Sequence, residues 1–164
     1  MRARTARVLS APMHRLLLTG LVGLLVAAAC ASSKMYTLQE LPDEQLWFRS
    51  GGGFTGETRE YLLLENGQVF FRREVINPLP LREHTPLDAK AAAELFQTYD
   101  KQDFGQLGYD DPGNMTYVLT RVSGPDTARI TWGGAEVQPT EELRTFWRRA
   151  IGLLGETEPK PVAE

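Results

Sequence analysis

Few residues in this chain combine the type and the spacing that chemistry requires. Cys30 is its sole cysteine, and His84 is the only histidine after position 30. One cysteine excludes an intramolecular disulfide and any multi-cysteine metal cluster. A serine triad would need His84 beside an activated serine, but no G-x-S-x-G elbow occurs. Zinc hydrolysis would need H-E-x-x-H, also missing, and one histidine with Cys30 cannot complete a zinc site. His84 therefore reads as a solvated side chain in a proline-flanked loop. Gly51-x-Gly53-x-x-Gly56 matches the dinucleotide fingerprint literally. That fingerprint works only where a helix opens at the third glycine and offers its N–H groups to a pyrophosphate. A strand is expected to follow here, so the segment reads as a glycine-rich connection.

Asp110-Asp111-Pro112-Gly113-Asn114 places three oxygen-bearing side chains beside a turn, with Asp100 and Asp103 upstream. Calcium favours such ligands, but an EF-hand loop needs oxygens at alternate positions and a closing Glu. Turn chemistry accounts for the segment better. Asn114-Met115-Thr116 has the form of a glycosylation sequon and reads as coincidence. Glu141-Glu142 and Arg148-Arg149 fall near opposite ends of an expected helix, where they complement its dipole. No enzyme signature, cofactor site or metal site is expected.

The chemistry with the strongest support is covalent attachment at Cys30. Arg2, Arg4, Arg7 and Arg15 form a basic start, and an apolar run of 14 residues, Leu16 to Ala29, follows. A membrane span needs about 20 such residues, so the run suits a signal segment better. Met13-His14-Arg15 with that run would itself form a compact signal peptide. The run ends Ala27-Ala28-Ala29-Cys30, which resembles the lipobox of bacterial lipoproteins. The resemblance implies removal of residues 1–29, acylation of Cys30 and anchoring to a bacterial membrane by two or three fatty chains. Ala31 rather than Asp after the cysteine resembles proteins passed on to the outer membrane, facing the periplasm or the surface, in Gram-negative cells. Two other outcomes stay open: release by ordinary signal peptidase after Ala29, or retention of the segment as an uncleaved anchor.

All 21 acidic residues follow Cys30 and four of the 18 Lys and Arg precede it, so 14 bases face 21 acids and the mature part carries −7. Such a surface gains nothing from phosphates, which argues against nucleic acid as a partner. It also leaves lipid as the means of attachment. With 42% hydrophobic and 24% charged residues the chain is globular in composition, and the 135 residues from Cys30 onward suffice for one modest core.

The elements that must position any site follow from pattern. Residues 30–44 are expected to hold the lipidated cysteine and a tether, 45–155 one α+β domain, and 156–164 a disordered tail. Gln45–Ser50 reads as a strand and Gly51–Gly56 as a flexible connection. Arg59–Glu65 and Gln68–Val75 flank Asn66-Gly67, which suits a two-residue hairpin turn. Residues 76–84 read as a loop. Thr85-Pro86-Leu87-Asp88 has the capping-box form, opening a helix to about Phe104 that buries Leu87, Ala91, Leu95 and Tyr99. A loop from Gly105 to Asn114 precedes a hairpin of Met115–Val122 and Thr127–Trp132. Thr140 caps a last helix with Leu143, Phe146, Trp147, Ala150, Leu153 and Leu154 at helical spacing, closed by Gly155. The order β-β-β-α-β-β-α predicts an antiparallel sheet of about five strands with two helices on one face. Trp47, Phe71, Ile130 and Trp132 are the expected sheet contribution to the core.

Phe48-Arg-Ser-Gly-Gly-Gly-Phe-Thr-Gly56, followed by a strand, an Asn-Gly turn and another strand, resembles the emfourin family over residues 45 to 154. The resemblance implies the same strand and helix order and, for some members, inhibition of thermolysin-like metalloproteases by loops that plug the active-site cleft. The candidate binding loops are Gly51, Gly52, Gly53, Phe54, Thr55 and Gly56, together with Tyr109, Asp110, Asp111 and Asn114. The expectation is a membrane-tethered, non-enzymatic binding or envelope-accessory domain, whose partner is an envelope protein or a protease. A tethered protease inhibitor is the alternative, and a hydrolase without a recognisable motif comes third.

Overall fold

The computed structural model describes residues 34–75, 77 and 79–155. Cys30, Ala27 to Ala29 and the tail 156–164 lie outside the described residues, as does the signal segment. The described chain is an α+β domain of six antiparallel strands and two helices. In chain order these are β1 (Glu44–Gly52), β2 (Glu57–Leu64), β3 (Val69–Glu74), β4 (Arg82–His84), α1 (Ala89–Lys101), β5 (Met115–Ser123), β6 (Asp126–Trp132) and α2 (Glu141–Gly155). The sheet order is β4-β3-β2-β1-β5-β6. Sequence pattern missed β4, because its three residues lie among prolines. Val69 pairs with His84 and Phe71 with Arg82 there, so His84 is an edge-strand residue and not a solvated loop histidine. Its half-buried ring lies 5.4 Å from Phe71 and 6.1 Å from Tyr61.

Period-two alternation decides which face each strand residue takes. Leu46, Phe48, Tyr61, Leu63, Val69, Leu119, Ile130 and Trp132 turn to the helices and meet Ala92, Leu95, Phe96 and Tyr99 of α1 and Leu143, Phe146, Trp147, Ala150 and Leu154 of α2. Ile130 and Trp132 join this core as expected, and Phe71 packs at its margin. Trp47 does not. Lying between Leu46 and Phe48, it faces the other way, into a smaller cluster with Leu62, Leu64, Phe70, Tyr36 and Leu41. Residues 34–43, read as tether, are partly folded onto this cluster: Gln68 accepts from Tyr36 N at 2.7 Å, and Asn66 Nδ2 donates to Lys34 O at 2.7 Å.

Three local expectations change. The β2–β3 hairpin closes through three residues rather than two. Gly67 N donates to Leu64 O and Leu64 N to Gln68 O, both at 2.9 Å, and Gly67 alone has positive φ, +88°. This is a turn with a following bulge. Any side chain at Gly67 would also strike Leu87 O, 2.4 Å from a Cβ there. That contact explains the second change. Leu87 N donates to Gly67 O at 2.9 Å, which holds residues 85–87 out of the helix. Asp88, and not Thr85, caps α1, its carboxylate accepting from Lys90 N at 3.0 Å and Ala91 N at 3.2 Å. Ala92 is buried where Ala91 is only half-buried. Third, α1 ends at Lys101 rather than Phe104. Asp103 adopts φ +51°, which Asp tolerates, and the reversal drives Phe104 into the core.

Both sheet edges are protected. β4 is short, and the other edge is covered by Tyr109–Asp111, where Thr131 N donates to Tyr109 O at 2.8 Å and Asp111 N to Thr131 O at 3.1 Å. Arg121, 7% exposed, ties the layers together. It pairs with Glu44 of β1 and, at 3.3 Å, with Asp100 of α1, while its guanidinium lies 4.8 Å from the Phe96 ring centre.

Candidate functional site

The two loops singled out in the sequence meet at one end of the sheet. Gly51 and Gly52 are not loop residues: they extend β1, paired with Thr58 and Glu57 on one side and Thr116 and Met115 on the other. Only Gly53–Gly56 forms the turn, pinned by Gly53 N donating to Asn114 O at 2.7 Å. Gly52 has φ +117°, and a Cβ there would lie 2.0 Å from Asn114 O, so close backbone approach demands glycine. Phe54 projects from this turn fully exposed, and Met115 is 41% exposed. Thr55 Oγ1 accepts from Glu57 N at 3.3 Å. Glu57 pairs with Arg73 and Arg59 at 2.7 Å each. Hydrogen bonding from Arg73, then Arg59, holds its carboxyl below the usual range.

The acids of the second loop serve different surroundings. Asp111 Oδ2 accepts from Glu136 N at 2.9 Å and Val137 N at 2.7 Å, anchoring the segment after β6. Asp110 is exposed and borders a shallow depression with Tyr109, Arg129 and Thr131. Among the described residues no group of three or more His, Cys, Asp or Glu is placed to hold a metal ion, and Asp111 serves as the anchor of the segment after β6. Thr116 of the sequon accepts from Gly113 N at 3.1 Å and donates to Gly113 O at 2.7 Å.

Next to this end, on the helix side of the sheet, lies a cleft of about 640 Å³ that sequence pattern did not reveal. Tyr117 and Trp132, cross-strand partners, stack with ring centres 5.6 Å apart and planes 16° from parallel. Trp147 of α2 stands edge-on to both, at 5.6 and 5.1 Å. Pro139 and Ile151 complete the apolar walls, and Glu141, Arg144 and Arg148 form the rim. Periodicity assigned Trp132 and Trp147 to the core, where most of each ring lies. It could not show that α2 leaves the outer side of Tyr117 uncovered. The rim charges engage one another: Glu141 contacts Arg144 at 3.0 Å and Arg148 at 2.9 Å. The charge of Arg144 is the main cause holding the Glu141 carboxyl below its usual range. The volume and the predominantly apolar walls fall in the range of ligand-binding clefts. Its one acid and two arginines leave the rim with a net charge of +1, and no histidine or carboxylate pair lines it.

The fold and this end of it define a class, an α+β domain with a six-stranded antiparallel sheet, helices on one face and an aromatic cleft beside a glycine turn. The chain matches no protein-family model, and no curated protein matches it significantly.

Proposed function

We propose that this protein is a lipid-anchored binding domain of the bacterial envelope that takes a peptide segment of a partner protein at the loop end and its aromatic cleft. The observation that carries the reading is polarity. The chain enters the fold beside the β2–β3 turn, where Asn66 holds Lys34. The glycine turn, Asn114 and the Tyr117–Trp132 pair lie toward the opposite end of the sheet. Nine-residue β1 spans that separation, about 30 Å at ordinary strand rise. A domain acylated at Cys30 would thus hold its apolar end away from the bilayer, accessible to a partner. Recognition surfaces commonly sit on loops carried by a rigid sheet.

The anchor is tested by mass spectrometry of the membrane fraction with a Cys30→Ala control; unmodified, soluble wild type would sink it. The binding end is tested by photo-crosslinking in cells, with the reactive residue at position 54 or, as a control at the opposite end, at position 126. A specific adduct from 54 alone is expected. Adducts from neither position, or equally from both, would refute this placement.

One observation favours a second reading. A fully exposed Phe54 on a turn fixed at its base is the kind of rigid apolar projection that can occupy a protease cleft. Slowed cleavage by a thermolysin-like protease at stoichiometric protein would support it, and digestion of this chain would end it.

A further inference from the structure

The face of the sheet opposite the helices carries a second, chemically distinct site. The cluster around Leu62, Leu64 and Phe70 covers part of that face. Over β1, β5 and β6 it is open and polar. Arg49 of β1 and Arg129 of β6 are both exposed, and among the described residues neither has a carboxylate partner. Register places Arg49 in the row of Val118 and Thr131, and Arg129 in the row of Thr120 and Trp47. The two arginines are therefore two residues apart along the strands and two strands apart across them, roughly 12 Å between Cα atoms at standard spacings. Their long side chains converge from diagonal corners. Both line a depression of about 210 Å³ with Trp47, Val118 and Thr120, and another of about 170 Å³ with Gly51 and Thr58.

Two guanidinium groups facing one hollow repel each other unless an anion stands between them. Two acids are near. Glu60 lines the larger hollow but is engaged by Arg72 Nε at 2.5 Å. Asp110 borders only the outer depression beside Arg129. In a domain whose net charge is strongly negative, this retained cationic pair points to an acidic ligand. The remaining lining narrows the class. Trp47 offers a half-buried indole whose Nε1 is already satisfied by Gln45 Oε1 at 2.9 Å, leaving its apolar surface for contact. Thr58 and Thr120 offer hydroxyls, with Val118 as the floor. Guanidinium forks suit a carboxylate, an indole suits the CH face of a ring, and hydroxyls suit hydroxyls.

We propose that this open face binds a carboxylate-bearing sugar, with Arg49 and Arg129 holding the acid group and Trp47 the ring. The site is independent of the cleft, which lies on the other side of the sheet. Isothermal titration of the full protein in detergent with tri-galacturonate should show binding, and α-1,4-galactotriose, its uncharged counterpart, should bind at least tenfold more weakly. Arg49→Gln and Arg129→Gln should each weaken the uronate about 10- to 100-fold, the loss of one charge-assisted contact. Both side chains are exposed and make no hydrogen bond or ion pair with another described residue, so these variants should melt like wild type. Trp47→Leu should weaken the uronate but leave inorganic phosphate unaffected. Arg148→Gln, in the cleft, should change nothing, so that failure here and failure at the cleft are told apart. No uronate binding, or binding unchanged in both arginine variants, would overturn the proposal. So would phosphate competing as well as uronate with Trp47→Leu silent, which would mark a simple anion site.

Discussion

Tyr99 is a polar group the core encloses without a partner. Its ring packs against Phe104 and Phe146, it is 3% exposed, and its hydroxyl is the one buried side-chain oxygen or nitrogen among the described residues that makes no hydrogen bond. Burial pushes its pKa from 10 to about 12, with Arg121 pulling it down and Asp100 and Asp103 adding a smaller upward push. A raised phenol pKa means the fold keeps a proton that the unfolded chain has released. Stability contributed by the neutral form is thus full below pH 10 and declines as pH rises toward 12. One pH unit of such a window is worth roughly 1.4 kcal/mol, so wild type should lose about 1.4 kcal/mol by pH 11 from this group alone, and about 2.7 kcal/mol at most. Tyr99→Phe removes both the orphan hydroxyl and the titration. At pH 8 the variant should match wild type or exceed it by up to about 1 kcal/mol, because no bond is lost. Urea unfolding followed by tryptophan fluorescence at pH 8 and pH 11 reads both quantities. The advantage of the variant should grow by about 1.4 kcal/mol between them. A constant difference would refute the burial argument, and a loss above about 1 kcal/mol at pH 8 would show that the hydroxyl has a partner.

Four further substitutions test the geometry. Arg121→Met should destabilise the domain by about 2–4 kcal/mol in urea unfolding, below the upper range for a fully buried pair because Glu44 and Asp100 remain partly solvated; a loss under 1 kcal/mol would contradict its role as a layer tie. Gly52→Ala should cost at least about 2 kcal/mol, since it combines positive φ with a clash against Asn114 O. Gly152→Ala, helical and facing open space, should instead gain about 0.5–1 kcal/mol. Asp111→Ala should cost about 1–2 kcal/mol by stripping acceptors from Glu136 N and Val137 N, and millimolar calcium should leave the melting temperature of wild type unchanged.

Much of the architecture is legible from side-chain period. Ile130 and Trp132 recur at two, and Leu143 to Leu154 at helical spacing, so five strands, both helices and the α+β arrangement can be read directly, although on β1 it is Leu46 and Phe48, and not the expected Trp47, that face the helices. What escapes is decided by contacts distant in sequence. Three-residue β4 has no periodicity of its own and exists because β3 presents an edge. The start of α1 shifts to Asp88 because Gly67, twenty-one residues earlier, grips Leu87. The hairpin at Asn66-Gly67 is bulged because that same glycine must also admit Leu87 O.

The same division applies to the sites. The proposed anchor rests on a sequence resemblance, an apolar leader ending at Cys30, and the acidity that disfavours nucleic acid is read from composition. The candidate loops at 51–56 and 109–114 could be named from glycine and turn chemistry. Their union through Gly53 and Asn114, the corner formed by Tyr117, Trp132 and Trp147, and the approach of Arg49 to Arg129 across two strands belong to tertiary structure alone. Local sequence fixes which way a side chain points along its own strand or helix. It carries no information on which strand lies beside which, and these sites are made of side chains from different strands and from the helix laid across them.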